Sequence, residues 1–297
     1  MKSTQLAKTS ARLIIFRALI WEIIQKKVST SQLKRLWLSP KSPRGIVLDM
    51  QEARTTGHGL ISIVYVFHIF HNDYLKELID FTNKSLKNLN TTILVSTSKQ
   101  DIYENLKDLY RSVHPKIQVR FVPNRGRNFG PLFVEFASEI RKHDVLIHLH
   151  SKKSAHSKDN LGAEWGSRAW KLLALDDELS STTISILQSN VSVGLLYPYV
   201  EDLVRPINLS WGSNFFPLIN SEVELVLPKP ESLFVHLQFP AGGMFAAKVD
   251  ALLPLLNLSW EYSQFPLELG QIDGTLQHGL ERAIGKVADA RGFSQRS

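Results

Sequence analysis

The 297-residue chain has no cysteine, so disulfides, thiolate metal sites and thiol nucleophiles are excluded. No apolar run reaches the roughly 20 residues that a membrane-crossing helix needs. The best stretch, 11–27 (ARLIIFRALIWEIIQKK), is cut by Arg17 and Glu22 and lacks a small-residue cleavage site. Internal repeats and low-complexity tracts are absent too, which leaves out solenoids and fibrous arrays. Positive charge is missing where a nucleic-acid face would need it. The net charge is +7, but residues 1–45 carry ten Lys/Arg against one acid, Glu22, leaving 25 bases and 27 acids elsewhere. A basic arm on a near-neutral body is not a nucleic-acid footprint.

What is present is ordinary globular material. Hydrophobic residues make up 43% and charged residues 21%, enough for a sizeable core. In 11–27, Leu13, Phe16, Leu19, Ile20, Ile23 and Ile24 form one apolar stripe at helical spacing, with Arg12, Arg17, Glu22 and Lys26 off it. Such a basic amphipathic helix suits an anionic membrane surface, or docks on its own domain. Residues 39–59, rich in Pro, Ser and Gly, read as a linker. The division expected is therefore an arm over 1–59 and a domain over 60–297.

From Leu60 onward strands and helices alternate. Strands are expected over Ile61–Phe70, Thr91–Ser96, Ile117–Val122, Val145–His150, Val193–Tyr197 and Phe239–Lys248. Helices are expected over Asp73–Leu86, Asp101–Val113, Pro131–Ile140, Glu164–Leu175, Asp177–Gln188, Val249–Leu256 and Ile272–Lys286, with 198–235 irregular. This alternation predicts an α/β fold, a mostly parallel sheet with helices on both faces.

Three stretches carry candidate chemistry. In 143–154 (HDVLIHLHSKKS), period-two alternation puts His148 and His150 on one side of a strand end, followed by Lys152 and Lys153. Ligands of open α/β sheets collect at such ends, and these groups suit an anion or a metal-bridged anion; a polar strand end with solvated lysines is the plainer reading. In 123–131 (PNRGRNFGP), Asn124, Arg125, Gly126, Arg127 and Asn128 stand at a strand-to-helix turn. Close backbone approach, free helix N–H groups and guanidinium forks suit a phosphate there, although Asn128 also fits a helix cap. In 268–282 (ELGQIDGTLQHGLER), Glu268 and Asp273 precede His278, Glu281 and Arg282 on one helix. A carboxylate there is either a general base or a complement to the helix dipole. Gly242 and Gly243 could admit a ligand to the backbone, Trp211 could face a sugar or fill the core, and His68 ends the first strand.

Together and in order, VFHIF (66–70), VPNRGRNFGP (122–131), DVLIHLHSKKS (144–154), FPAGGMF (239–245) and ELGQIDGTLQHGLER (268–282) resemble the rhamnan synthesis protein F family, over about 61–282. The resemblance implies an A-type glycosyltransferase-like fold, Rossmann-like in its sheet, and an inverting transfer of L-rhamnose from dTDP-rhamnose to a growing surface polysaccharide. It implies Asp273 as base, with Glu268 second; His68, Asn124–Asn128, His148, His150, Lys152 and Lys153 toward the donor; and Trp211, Gly242, Gly243, His278, Glu281 and Arg282 toward the acceptor. In that fold an acidic DxD element ends the fourth strand and holds Mg²⁺ or Mn²⁺. Here His148-Leu149-His150 takes its place, so a metal on the imidazoles and a metal-independent site neutralised by Lys152 and Lys153 both stay open. The family commonly has Asp at position 128 and often Ser at 243. A lipid-linked glycan acceptor and a peripheral place on the inner, cytoplasmic face of the membrane follow, with the basic arm on anionic lipid. The rivals are a catalytically inactive scaffold of a synthase complex and a metal-dependent hydrolase using His148 and His150.

Overall fold

Strand β1 (Ile63–His68) is buried along its whole length, and its residues divide by parity between two cores. Val64 and Val66 join one apolar cluster, while Ile63, Tyr65 and Phe67 join another. A strand covered on both faces must be apolar at every position, which is why IVYVF shows no polar alternation. The computed structural model describes residues 61–85, 90–110, 117–151, 161–198, 210–230, 232–234 and 236–297. The expected helix over 11–27, the linker over 39–59, and Lys152 and Lys153 lie outside the described residues.

After β1 come α1 (Leu75–Ser85), β2 (Thr91–Thr97), α2 (Gln100–Tyr110), β3 (Ile117–Phe121), a π turn (Pro131–Glu135), α3 (Ala137–Ile140) and β4 (Val145–His150). There follow α4 (Leu161–Trp170), a second π turn (Lys171–Leu175), α5 (Asp177–Ser189), β5 (Val193–Leu196) and α6 (Phe215–Ile219). The chain closes with β6 (Phe245–Lys248), α7 (Val249–Leu256), α8 (Leu276–Ala290) and β7 (Ser294–Arg296). Among the described residues one sheet forms, ordered β3-β2-β1-β4-β6-β5-β7. Strands β1 to β4 are mutually parallel, and β6 runs antiparallel to both β4 and β5. The expected α/β architecture with a mostly parallel sheet is therefore the one observed.

The helices follow their side chains. In α8, Leu276, Leu280, Ala283, Ile284 and Val287 fall at helical spacing and are buried in the first cluster. Helix α5 starts where Asp176 Oδ1 accepts from Glu178 N (3.2 Å) and Leu179 N (3.1 Å), satisfying N–H groups that the first turn leaves without partners.

Three expectations need correction. The third helix is not continuous over 131–140: Phe136 N–H reaches back to Pro131 O at 3.2 Å, closing a wide π turn before α3 begins. The closing helix starts at Leu276 rather than Ile272, because Gly274 adopts a left-handed φ of 79° and Thr275 is extended. The sixth strand is shorter than 239–248, since Gly242 (φ 91°) and Gly243 (φ 76°) hold the preceding segment in a turn. Strand β7 and the short helix α6 were not anticipated.

Candidate active site at the strand ends

Parallel strands end together, so the register dictates what meets at the sheet edge. His68 pairs with Ser96 on one side and with His150 on the other. His68 Nδ1 lies 3.0 Å from Ser96 Oγ. One step beyond the strand, Ser151 Oγ accepts from Phe70 N at 2.6 Å and His71 N at 2.9 Å, stitching the exits of β1 and β4. The cross-strand partner of His68 gives Ser96 away in hindsight; nothing in the pattern around Ser151 did.

The antiparallel direction of β6 brings its entrance to this same edge. His150 Nε2 donates to Gly242 O at 2.7 Å, and Gly242 N donates to Glu281 Oε1 at 2.6 Å. Trp170 Nε1 donates to His150 O at 3.0 Å, fixing the strand end from the other face. Asn128 Nδ2 points at Gly243 O, 3.5 Å away. A Cβ added to Gly243 would stand 2.8 Å from that same Nδ2. Positions 128 and 243 are thus neighbours in space.

His148 lies deeper. Its ring is fully buried between Phe245 (5.3 Å between ring centres) and Phe129 (5.9 Å). Neither ring nitrogen has a hydrogen-bond partner among the described residues. Burial pushes its pKa down to about 3, with the nearby His68 adding to the fall and the backbone of Gly243 and Asn128 opposing it. Burial likewise lowers His68 to about 4. Both imidazoles are neutral at ordinary pH, so they bring no positive charge to an anion.

The residues present do not fit a bound metal ion. The His148 and His150 rings stand 6.3 Å apart, His150 Nε2 is already turned to Gly242 O, and His148 is sealed in. Among the described residues no group of three or more His, Asp or Glu side chains is placed to hold one.

The turn over 123–130 folds against 265–271. Gly126 (φ 71°) and Arg127 (φ 50°) are both left-handed, which aims the two arginines at that segment. Arg125 donates to Phe265 O at 2.8 Å. Arg127 Nε meets Glu268 Oε2 at 3.1 Å, and its other arm reaches Gln271 O. Gln277 Nε2 takes the second oxygen of Glu268 at 2.7 Å. Both arginines thus pin a neighbouring loop, Arg127 keeping 39% of its side chain exposed, and Asn124 beside them is exposed.

That division separates the two carboxylates. Glu268, with a side chain only 12% exposed, has both oxygens engaged. Asp273, 42% exposed, opens to solvent while Arg282 stands 3.8 Å from its Oδ1. Its loop is anchored by Asn214 Oδ1, which accepts from Gly274 N at 2.7 Å; the sequence pattern singles out neither Asn214 nor Gln277 as a partner of these carboxylate-bearing segments. His278 Nδ1 lies 2.7 Å from Thr275 Oγ1. Leu267, Leu269 and Ile272 stand exposed along the same loop. Trp211 is not at this opening: it is 1% exposed, packed edge-on to Phe215 at 5.7 Å in the core, so it offers a sugar no face.

Two relatives called uncharacterized protein WxcX, from Xanthomonas campestris pv. campestris strains B100 and ATCC 33913, are each 30% identical over 226 residues. The match takes in 75% of this chain, which spans 31% of the length of each relative. Among solved structures, glucosyl-3-phosphoglycerate synthase from Mycobacterium tuberculosis with phosphoglyceric acid is similar at 14% identity and TM-score 0.34, over 69% of this chain and 62% of that one. The same enzyme with Mn²⁺, UDP and phosphoglyceric acid gives 13% and 0.35, over 71% and 65%. At those scores the likeness adds nothing to the fold already read from the strand order. The family model of rhamnan synthesis protein F matches residues 19–293, and the chain belongs to that family.

Proposed function

We propose that the protein is a glycosyltransferase of polysaccharide biosynthesis, moving a sugar from a nucleotide-linked donor to a glycan acceptor. The observation that carries this reading is the contrast between two carboxylates of the segment that packs against the turn after β3. One carboxylate, Glu268, is locked as a strut, while the other, Asp273, is half-open and held beside a buried arginine. A general base must reach a proton on a substrate, and only Asp273 of the pair is free to do so. In one displacement, Asp273 takes the acceptor hydroxyl proton while that oxygen attacks the anomeric carbon. The bond to the donor's diphosphate breaks, and the sugar inverts.

Family membership supports L-rhamnose on dTDP as the donor. The exposed side of Arg127, with Lys152 and Lys153, would meet the charge growing on the leaving diphosphate, where fixed donors act most strongly. The exposed Leu267, Leu269 and Ile272 suit an acceptor carried on lipid. The basic arm of residues 1–45 suits the anionic inner face of the cytoplasmic membrane, each Lys/Arg contributing about 1 kcal/mol. No helix among the described residues is long and apolar enough to cross a membrane.

The scaffold reading has one observation in its favour: histidines stand at the end of β4, and among the described residues they join no group of three or more side chains that could hold a metal ion. Calorimetric titration with dTDP, UDP and GDP, each with and without Mn²⁺, tests both. Selective dTDP binding supports the rhamnosyltransferase; binding of none of the three refutes the transferase and leaves the scaffold.

A further inference from the structure

We infer that Arg282 is the positioning residue of Asp273, fixing the carboxylate relative to the end of β4; this rests on the base role proposed above. Arg282 sits in the second turn of α8 with its side chain 6% exposed. Its Nε donates to Ser210 O at 2.7 Å and one NH₂ arm donates to His278 O at 2.9 Å. Its cationic carbon lies 5.1 Å from the centre of the Phe239 ring. These contacts fix the guanidinium plane, and a planar fork fixed on one side has a fixed direction on the other. The other arm faces Asp273 Oδ1 at 3.8 Å, while Glu281 Oε2 stands 3.7 Å from the arm that donates to His278 O.

Arginine keeps its charge when buried, and a buried cation without an anion is costly. Asp273 and Glu281 are the anions supplied, but they are used differently. Glu281 is tied onward: its other oxygen accepts from Gly242 N, whose carbonyl accepts from His150. Among the described residues Asp273 forms no other ion pair, and its side chain is 42% exposed. Two hydrogen bonds, His150 to Gly242 and Gly242 to Glu281, and two ion pairs, Glu281–Arg282 at 3.7 Å and Arg282–Asp273 at 3.8 Å, thus lead from the end of β4 to Asp273. Arg282 holds the last member by charge and direction, without sharing its proton.

An arginine that only braced α8 against Ser210 would be indifferent to Asp273, which gives the test. Full-length wild type, D273N, R282M, R282K and the D273N/R282M double variant are compared for nucleotide release from dTDP-L-rhamnose, UDP-glucose and GDP-mannose. Thermal unfolding is followed in parallel. R282M should lower kcat by about 10²-fold, the cost of misplacing a catalytic group, while the donor KM stays within about twofold, since only the transition-state contact is lost. R282K should fall between, and R282M should add nothing to D273N. Wild-type kcat in folded R282M, or effects that multiply in the double variant, would overturn the positioning role. If R282M does not fold, the same cycle with R282K decides in the same way. Wild-type turnover in D273N sinks the base assignment on its own. No release by the wild type from any donor removes both proposals together.

Discussion

Lowering the pH from 7.5 to 5 should cost the fold about 4 kcal/mol through His68 and His148, and His148→Leu should remove half of that loss. The folded pKa of His148 is about 3 and that of His68 about 4, both depressed by burial, against about 6.5 in an unfolded chain. As pH falls below 6.5 the unfolded state takes up the protons first. The stability that these neutral rings contribute is thus complete above 6.5 and drains away toward the folded values. At pH 5 each unfolded imidazole lies about 1.5 units inside its charged range, worth about 2 kcal/mol per ring at 1.36 kcal/mol per unit. Asp144, whose pKa is lowered mainly by the Ser62 backbone N–H, loses its contribution only below the ordinary carboxylate range, outside this window. His236, also lowered by burial, acts alike in both proteins and cancels. Leucine suits the site because the ring packs on Phe129 and Phe245 and makes no hydrogen bond among the described residues. Urea denaturation of wild type and H148L at both pH values reads the effect. Equal losses in the two proteins would refute the reasoning, because His148 would then be charged or solvated in the folded state.

The remaining expectations concern the site and the core. Asp273→Asn should cut nucleotide release by roughly 10²–10⁴ as for loss of a general base, with dTDP affinity by calorimetry nearly unchanged. Glu268→Gln, by contrast, breaks an ion pair whose arginine is partly in water, so it should cost less than about 1 kcal/mol and leave most turnover; equal inactivation of the two variants would undo their separation. Trp211→Ala should destabilise by about 3–5 kcal/mol in denaturant melts, and a loss of ligand affinity without lost stability would return Trp211 to the site. Gly243→Ala, at φ 76° and against Asn128, should cost about 1–3 kcal/mol. Adding Asn128→Ala should restore part of it, because contacting sites do not add independently.

Alternation of apolar strands and amphipathic helices made the parallel half of the sheet readable, since every residue of IVYVF or VLI is committed to one core or the other. The same pattern failed at 268–275. Ile272 reads as a helical apolar residue but is exposed, and the left-handed Gly274 ends that reading. The candidate residues are legible in sequence as types and not as partners. Arg125 and Arg127 look like anion ligands in sequence because nothing local shows that Phe265 O and Glu268 lie beside them, some 140 positions on. The same holds for His150, whose ring answers to a glycine carbonyl 92 residues away. Spacing carries helix faces and strand parity; it does not carry long-range polar pairing.

The direction of β6 has a consequence for assembly. The parallel half of the sheet is made from 63–150 and the rest from 193–296, and within the sheet they are joined by the pairing of β4 with β6. His148 faces Phe245 across that join, and His150 holds Gly242 at its mouth. Neither half alone supplies both sides of that edge, so a molecule bound across it would touch both and favour their docked state.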